Sequence, residues 1–582
     1  MIAVHVTHEA VEQMGGIGAV IAGLGTARAY DEAISRTVLL GPLMRTDQPV
    51  NRRLGEGGKL LYSSLDAIHT APWSDRFRPI ERTYDVGVTY GTRPVRAACS
   101  NKTVEAEVLL LDVFHANRDR LNLFKGELYR KFAVPSDQFE HTWEYEQYVR
   151  LAEPGFEALK AIGCDESDER VVILAHEYMG MPTALKAVLS GGPNTRTVFY
   201  AHEVASVRPV VETAPGHDTM FYNVLPLARR RGQWLEDVFD EVVTNFKHPL
   251  VKAARYCDHV FAVGDRIRDE LCFVDPHFET MGVDLVYNGI PAGRITRDQR
   301  TDSRERLARY AERLFGDRPT WLFSHVCRPV VSKGIWRDLA VLDTLESLLA
   351  RRGETCVYFM LGTLAGKRRT PDVRQMERVY GWPVYHEHGY PDLCGGEEQL
   401  GEMFDIFNRD REACRAVLVN QWGWSRDACG DRMPAETTFA DLRRGTDLEF
   451  GLSVYEPFGI SQFEPLASGA LCAVSNVCGC MGLARREAGA DGFDDNIIVG
   501  DFLHAPEGLS IEQLVSMPVD QRDAIEADEA ARLAEIIDAK LPRDEDTIHS
   551  RMAQGQALAE RMSWEHVVSD YILPSLQRAS ET

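Results

Sequence analysis

Short runs of apolar residues recur along this chain, many of them hydrophobic at successive positions and not only at alternate ones. Between them lie longer stretches in which apolar residues return every three or four positions. The first pattern predicts strands buried on both faces, as in parallel sheets, and the second predicts helices packed against them. Strands are predicted at Ile2–Val6, 37–40, 108–112, 171–175, 197–201, 259–263, 321–325, 357–362, 416–419, 448–453 and 470–474. Helices are predicted between them, among them 18–30, 144–162 and 335–351. Strand and helix alternating over this length predict a doubly wound α/β architecture.

The alternation pauses once. Tyr287-Asn288-Gly289-Ile290-Pro291 reads as a turn after a strand, the polar stretch 296–305 follows, and strand-helix alternation restarts near 319. A chain of 582 residues exceeds what one hydrophobic core usually supports, so a division at about 292 into two large domains is expected. The stretch 395–444 is polar, rich in Asp and Arg and less periodic, and reads as an insertion in the second domain.

Composition narrows the classes of function. Hydrophobic residues make up 44% and charged residues 26%, a globular balance. Sixty-five basic against 88 acidic residues leave a net charge of −23, which argues against nucleic acid or anionic lipid as the main partner. Any anionic substrate must then be held by a local cluster of positive groups. No stretch approaches the roughly 18 apolar residues that cross a bilayer. The opening Met1-Ile2-Ala3-Val4-His5-Val6 lacks the basic flank and long apolar core of a signal peptide, so a cytoplasmic protein is expected. The twelve cysteines are scattered without a Cys-x-x-Cys pair, which favours reduced thiols over zinc ligands or disulfides.

Three stretches carry candidate chemistry. After the first strand, Gln13-Met14-Gly15-Gly16-Ile17-Gly18 precedes a helix. Gly15, Gly16 and Gly18 permit a tight turn, and the free N–H groups of the helix start form an anion site; a plain strand-to-helix turn is the alternative. After the strand at 321–325, Arg328 and Lys333 flank a loop before the next helix. At the carboxyl end of a strand in an open α/β sheet, a guanidinium fork and an ammonium can offset a diphosphate; a solvated basic loop is the alternative. The third and most specific is Glu456-Pro457-Phe458-Gly459-Ile460-Ser461-Gln462-Phe463-Glu464. It places Glu456 in a loop, Gly459 and Ile460 at a helix start with open N–H groups, and Glu464 about one turn further on. Two carboxylates so arranged can accept hydrogen bonds from several sugar hydroxyls. Ser461 and Glu464 also fit a capping box.

The Glu-x7-Glu spacing of Glu456 and Glu464, with Pro-Phe-Gly between, resembles the donor site of retaining GT-B glycosyltransferases, most closely the glycogen synthase and starch synthase group. Other elements fall in matching order. The Gly15-Gly16-Ile17-Gly18 turn resembles that group's glycine loop, with Gln13 where the family carries Lys. His176-Glu177 is similar to its His-Asp pair, and His202 to its active-site histidine. The segments Asp258 to Asp265, Glu270-Leu271 and Asn288-Gly289-Ile290 also resemble it, the last with Pro291 for Asp. Arg328 and Lys333-Gly334 match its Arg and Lys-Gly, and Ser563-Trp564-Glu565 with Tyr571 its closing helix.

The resemblance implies a GT-B fold: two Rossmann-like domains with an interdomain cleft, an acceptor domain over 1–292, a nucleotide-sugar domain over 293–560, and a helix at 561–582 returning to the first. It implies transfer of a hexosyl group, glucose by analogy, from ADP- or UDP-glucose with retention of configuration, without metal or other cofactor. The acceptor implied is the non-reducing end of an α-1,4-glucan. In that scheme Arg328 and Lys333 stabilise the departing diphosphate, with the N–H groups near Phe458, Gly459 and Ile460 assisting. Glu464 holds the ribose and Glu456 the donor sugar. His202 places the sugar near its C6 hydroxyl, Glu177 acts on the acceptor side, and Gly15, Gly16 and Gly18 close over the phosphates. The acceptor surface is expected from 87–101 and 114–143. Three other readings stay open: a sucrose- or trehalose-type enzyme with a small acceptor, a phosphorylase with pyridoxal phosphate, and a catalytically silent glucan-binding homologue.

Overall fold

The computed structural model describes residues 1–11, 15–96, 102–165, 168–213, 217–489 and 495–581. Contacts divide the chain into two units. One comprises Met1–Val210, Ala228–Gly289 and Trp564–Thr582, and the other Val211–Leu227 and Ile290–Ser563. Neither unit is one continuous piece of sequence.

The first unit is built on a sheet of ten strands: β1 (Ile2–Val6), β2 (Arg36–Pro42), β3 (Lys59–Ser63), β4 (Ile68–His69), β5 (Gly87–Arg96), β6 (Thr103–Asp112), β7 (Val171–His176), β8 (Thr195–Ala201), β9 (His259–Ala262) and β10 (Asp284–Leu285). Their order is β10-β9-β8-β7-β1-β2-β6-β5-β3-β4. From β10 to β6 neighbouring strands are parallel, whereas β5, β3 and β4 add an antiparallel edge. The continuous apolar runs behave as buried parallel strands should: every residue of β1 and β7 is buried. The antiparallel edge is not predicted from the hydrophobic pattern. β5 is interrupted by Gly91 and Pro94, and it holds its place by pairing with β6 along its whole length. The single helix predicted at 18–30 is two, Gly16–Thr26 and Arg28–Ala33, parted at Ala27 by an extended backbone.

The second unit carries six parallel strands: β11 (Trp321–Val326), β12 (Cys356–Leu361), β13 (Cys414–Val419), β14 (Leu448–Gly451), β15 (Leu471–Ser475) and β16 (Ile497–Gly500), in the order β13-β12-β11-β14-β15-β16. Strand alternation divides the side chains between two cores. Trp321, Phe323, Tyr358 and Met360 join the helix Ile335–Arg352 on one face, while Leu322, Val357, Phe359 and Leu361 meet the helix Arg297–Phe315, Trp382 and Trp424 on the other. Each such aliphatic or aromatic side chain contributes about 1.5–3 kcal/mol by leaving water.

The stretch 395–444, read above as an insertion, contains elements packed into the sheet of the second unit. It contributes the helix Glu398–Asn408 and the edge strand β13, which pairs with β12 over six residues. The outer edge of β13 is bracketed by Asn408, whose amide donates to the Ala416 carbonyl (2.8 Å) and accepts the Ala416 N–H (2.9 Å). Edge backbone that is satisfied in this way is withheld from pairing with another chain. Among the described residues, no helix is long and apolar enough to cross a membrane.

Candidate functional site

In the second unit, β11 and β14 are parallel neighbours, so the loops that leave them emerge at the same end of the sheet. The loop after β11 carries Arg328 and ends in the turn Val331–Lys333; the loop after β14 carries Glu456. The Ser332 carbonyl stitches the two by accepting the N–H groups of Val454 (2.8 Å) and Tyr455 (3.1 Å). Lys333 Nζ thereby lies 2.5 Å from Glu456 Oε2, both side chains being only 16% and 12% exposed. At that degree of shielding the pair interacts more strongly than a surface pair would. Gln462 Nε2 lies 3.5 Å from the same oxygen. Arg328 is exposed, and its guanidinium has no partner among the described residues. One uncommitted cation thus stands on the same loop as a cation already balanced by a carboxylate.

The turn between the glutamates is shaped from below. Gly459, at φ 91°, holds the cap position of the short helix Ile460–Phe463. Ser461 lies inside that first turn, so the capping box with Glu464 does not form; Glu464 instead opens a 3-10 turn, Glu464–Ser468. The segment Cys478-Gly479-Cys480 forms the floor. The N–H of Gly479 donates to the Glu456 carbonyl (3.0 Å) and that of Cys480 to the Phe458 carbonyl (2.8 Å). A Cβ on Gly479 would lie 1.8 Å from the Pro457 carbonyl oxygen, so only glycine admits this approach.

Glu464 is engaged with a residue that no sequence motif singles out. Arg443 Nε lies 3.1 Å from Glu464 Oε2, an ion pair without a directed hydrogen bond, and Arg443 Nη1 donates to Glu449 Oε2 at 3.0 Å. Glu449 Oε1 in turn accepts the Val326 N–H (3.0 Å) at the end of β11. Burial pushes the Glu464 carboxyl above its usual range, against the opposing pull of Arg443.

In the first unit, the neighbouring strands β1, β7 and β8 bring three histidines together at their carboxyl ends. His5 Nδ1 lies 2.8 Å from His176 Nε2, and His176 Nδ1 lies 2.7 Å from His202 Nε2. His5 and His176 are fully buried, whereas His202 is half-buried and stacks on Tyr200 with ring centroids 4.4 Å apart. Burial lowers all three from the usual histidine range, to about 4 for His5, about 3 for His202 and well below it for His176.

Glu177 follows directly. It starts the helix Glu177–Ser190 with a left-handed backbone, φ 59°, which is uncommon for a residue with a Cβ. Its Oε1 accepts the Glu203 N–H at 2.6 Å, while Oε2 is buried without a partner among the described residues. Burial, and then the nearby Glu203 carboxylate, push this carboxyl well above the ordinary range.

The glycine turn is occupied from within. Gly18 N–H donates to Glu9 Oε2 (2.9 Å), and Gly15 lies so close that its Cβ would be 3.0 Å from Glu9 Oε1. The anion at the start of the helix Gly16–Thr26 is therefore the chain's own carboxylate. Gln13 lies outside the described residues. Trp564 packs on Gly23 so tightly that a Cβ there would overlap the indole, and Glu565 accepts the Arg28 N–H. Glu9, His5 and Arg443 are not legible in the sequence because their meaning lies in tertiary partners, not in a motif.

No family model matches this chain, and no curated protein does. Solved structures do. The catalytic domain of starch synthase IV from Arabidopsis thaliana, bound to ADP and acarbose, superposes with TM-score 0.55 at 12% identity over 100% of both chains. An E. coli trehalose-6-phosphate structure bound with UDP-2-fluoro glucose superposes at TM-score 0.50 and 12% identity, over 100% of this chain and 99% of that one. A UDP-forming α,α-trehalose-phosphate synthase from Burkholderia xenovorans does so at TM-score 0.50 and 13% identity over 100% of both. At such identities the likeness is one of fold: two Rossmann-like α/β units of the GT-B type.

Proposed function

We propose that this protein is a retaining glycosyltransferase that moves a hexosyl group, glucose by preference, from a nucleoside-diphosphate sugar to the non-reducing end of an α-1,4-glucan. The observation that carries the reading is the Lys333–Glu456 pair on two stitched loops at the carboxyl ends of β11 and β14, with the uncommitted Arg328 on the same loop as Lys333. In a chain of net charge −23 this is the kind of local cationic patch that an anionic donor requires. Arg328 and Lys333 neutralise the diphosphate as it departs, aided by the backbone at Phe458, Gly459 and Ile460. Glu456 then exchanges Lys333 for sugar hydroxyls, and Glu464, fixed by Arg443, receives the ribose. His202 orients the sugar and Glu177 serves the acceptor. No metal or cofactor takes part, and the cytoplasm is the compartment proposed. The exposed aromatic pair Phe114 and Trp143, with ring centroids 5.5 Å apart, offers a sugar-stacking surface for the acceptor.

Release of ADP or UDP from ADP-glucose or UDP-glucose, measured with glycogen and with small sugars as acceptors, tests this. Release dependent on glycogen supports the glucan reading; release dependent only on a small sugar or sugar phosphate moves the acceptor to the trehalose-synthase type. Arg328→Ala and Lys333→Ala should each cut turnover about a hundredfold. Absence of release with every donor and acceptor overturns the proposal and leaves a silent binding protein.

A further inference from the structure

The row of histidines in the first unit continues past His5. His5 Nε2 lies 2.9 Å from the Tyr30 hydroxyl, and the Thr37 hydroxyl lies 3.5 Å from the same oxygen. The row therefore runs Thr37, Tyr30, His5, His176, His202, with Nδ1 of His202 at its open end. A neutral imidazole carries one proton, so it donates through one nitrogen and accepts through the other. Consecutive rings share a single hydrogen bond, and placing one proton fixes the rest. Two arrangements satisfy every bond: all three rings protonated on Nδ1, or all three on Nε2.

We propose that Tyr30, His5 and His176 are positioning residues that hold His202 in the Nδ1–H form, so that this ring presents a hydrogen-bond donor, and not an acceptor, to its ligand. Tyr30 decides the direction. Its ring is buried, and its hydroxyl has two neighbours, His5 Nε2 at 2.9 Å and Thr37 at 3.5 Å. In the Nε2–H arrangement the phenol must accept from His5 and send its own proton along the 3.5 Å contact, at the weak limit of hydrogen bonding. In the Nδ1–H arrangement the phenol donates into the short bond and Thr37 donates to the phenol. A phenol is also the stronger acid and the poorer acceptor of the two, with an ordinary pKa of about 10. Burial holds the rings neutral, so no charged form disturbs the row.

The ligand at His202 being a sugar hydroxyl rests on the function proposed above; the tautomer does not. Full-length protein labelled with ¹⁵N-histidine is measured by long-range ¹H–¹⁵N correlation, with His5, His176 and His202 assigned by single His→Asn variants. The expected result is the Nδ1–H signature at all three, against the Nε2–H form that free histidine prefers in water. Tyr30→Phe should release His202 toward Nε2–H and lower turnover about tenfold, the worth of one neutral hydrogen bond, with KM for the donor little changed. An Nε2–H signal at His202 in the unaltered protein overturns the proposal, as does a tautomer unmoved in Tyr30→Phe. Nδ1–H in a protein that turns over no nucleotide sugar leaves the row standing and removes the glycosyltransferase reading instead.

Discussion

Glu177 combines a left-handed backbone with a carboxylate oxygen that has no partner among the described residues, and both cost stability. The backbone alone is worth about 1–3 kcal/mol, and such strain clusters where function needs it. Its raised pKa sets a sign. Protonation is favoured in the folded state, so the stability it gives is complete below the ordinary glutamate pKa, about 4.3, and is lost as pH rises through the raised value. Glu177→Gln should therefore raise the melting temperature at pH 8 while leaving it nearly unchanged at pH 4, and should abolish turnover. Thermal unfolding at the two pH values checks the first, and nucleotide release the second. Arg443 is the opposite case. Buried between Glu449 and Glu464, it leaves two carboxylates without their shared countercharge when removed, and Arg443→Ala should cost about 3–5 kcal/mol in denaturant unfolding. Glu177 and His202 are singled out in the sequence by the resemblance, each just after a predicted strand end. Arg443 is not, because nothing near it in sequence announces partners that lie on β14 and in the turn after it.

Most of the buried parallel strands can be read from the sequence with errors of a residue or two, since a short, unbroken apolar run between turn residues is characteristic of a strand covered on both faces; β6 begins five residues before its predicted start, and the short β10 and β16 are not predicted. The antiparallel edge β3–β4–β5 cannot. Lys59–Ser63 is partly exposed and begins with a lysine, so it shows no unbroken apolar run, and β4 has two residues, too few for a pattern. Within 395–444 the short apolar run at 416–419 is legible as a strand despite the polar loops around it, and as β13 it is a full member of the sheet. The Glu456-to-Glu464 turn is legible, but its floor is not, because the role of Gly479 depends on a carbonyl 22 residues away in sequence, at Pro457. Gly479→Ala should push the turn outward and separate Glu456 from Lys333. The expected outcome is a protein that still folds, with a melting temperature a few degrees lower, and that no longer gains stability from a nucleoside diphosphate.

Taken whole, the chain yields its architecture more readily than its connectivity. The turn at 287–291 marks a change of unit, but Val211–Leu227 joins the second unit from within the sequence of the first, and no composition shift signals it. That segment buries Met220, Phe221 and Val224 and is tied in by a buried ion pair. Asp218, fully buried, receives two bonds from Arg337 (2.7 and 3.0 Å), whose guanidinium also donates to Glu526 and lies 3.9 Å over the Phe502 ring. Asp218→Asn should destabilise the second unit by about 3–5 kcal/mol, seen as an earlier unfolding transition by calorimetry. A nucleoside diphosphate at a hundred times its Kd should raise stability by about 2.7 kcal/mol, and comparing ADP with UDP in the same scan identifies the donor's base.

The interleaving also fixes an order of events during synthesis. A ribosome delivers β1 to β10 early, yet Trp564, the side chain that fills the hollow over Gly23, is still several hundred residues from being made. The unit that starts first is thus sealed late, and a nascent chain paused before residue 564 exposes a glycine-lined apolar notch that chaperones would be expected to cover.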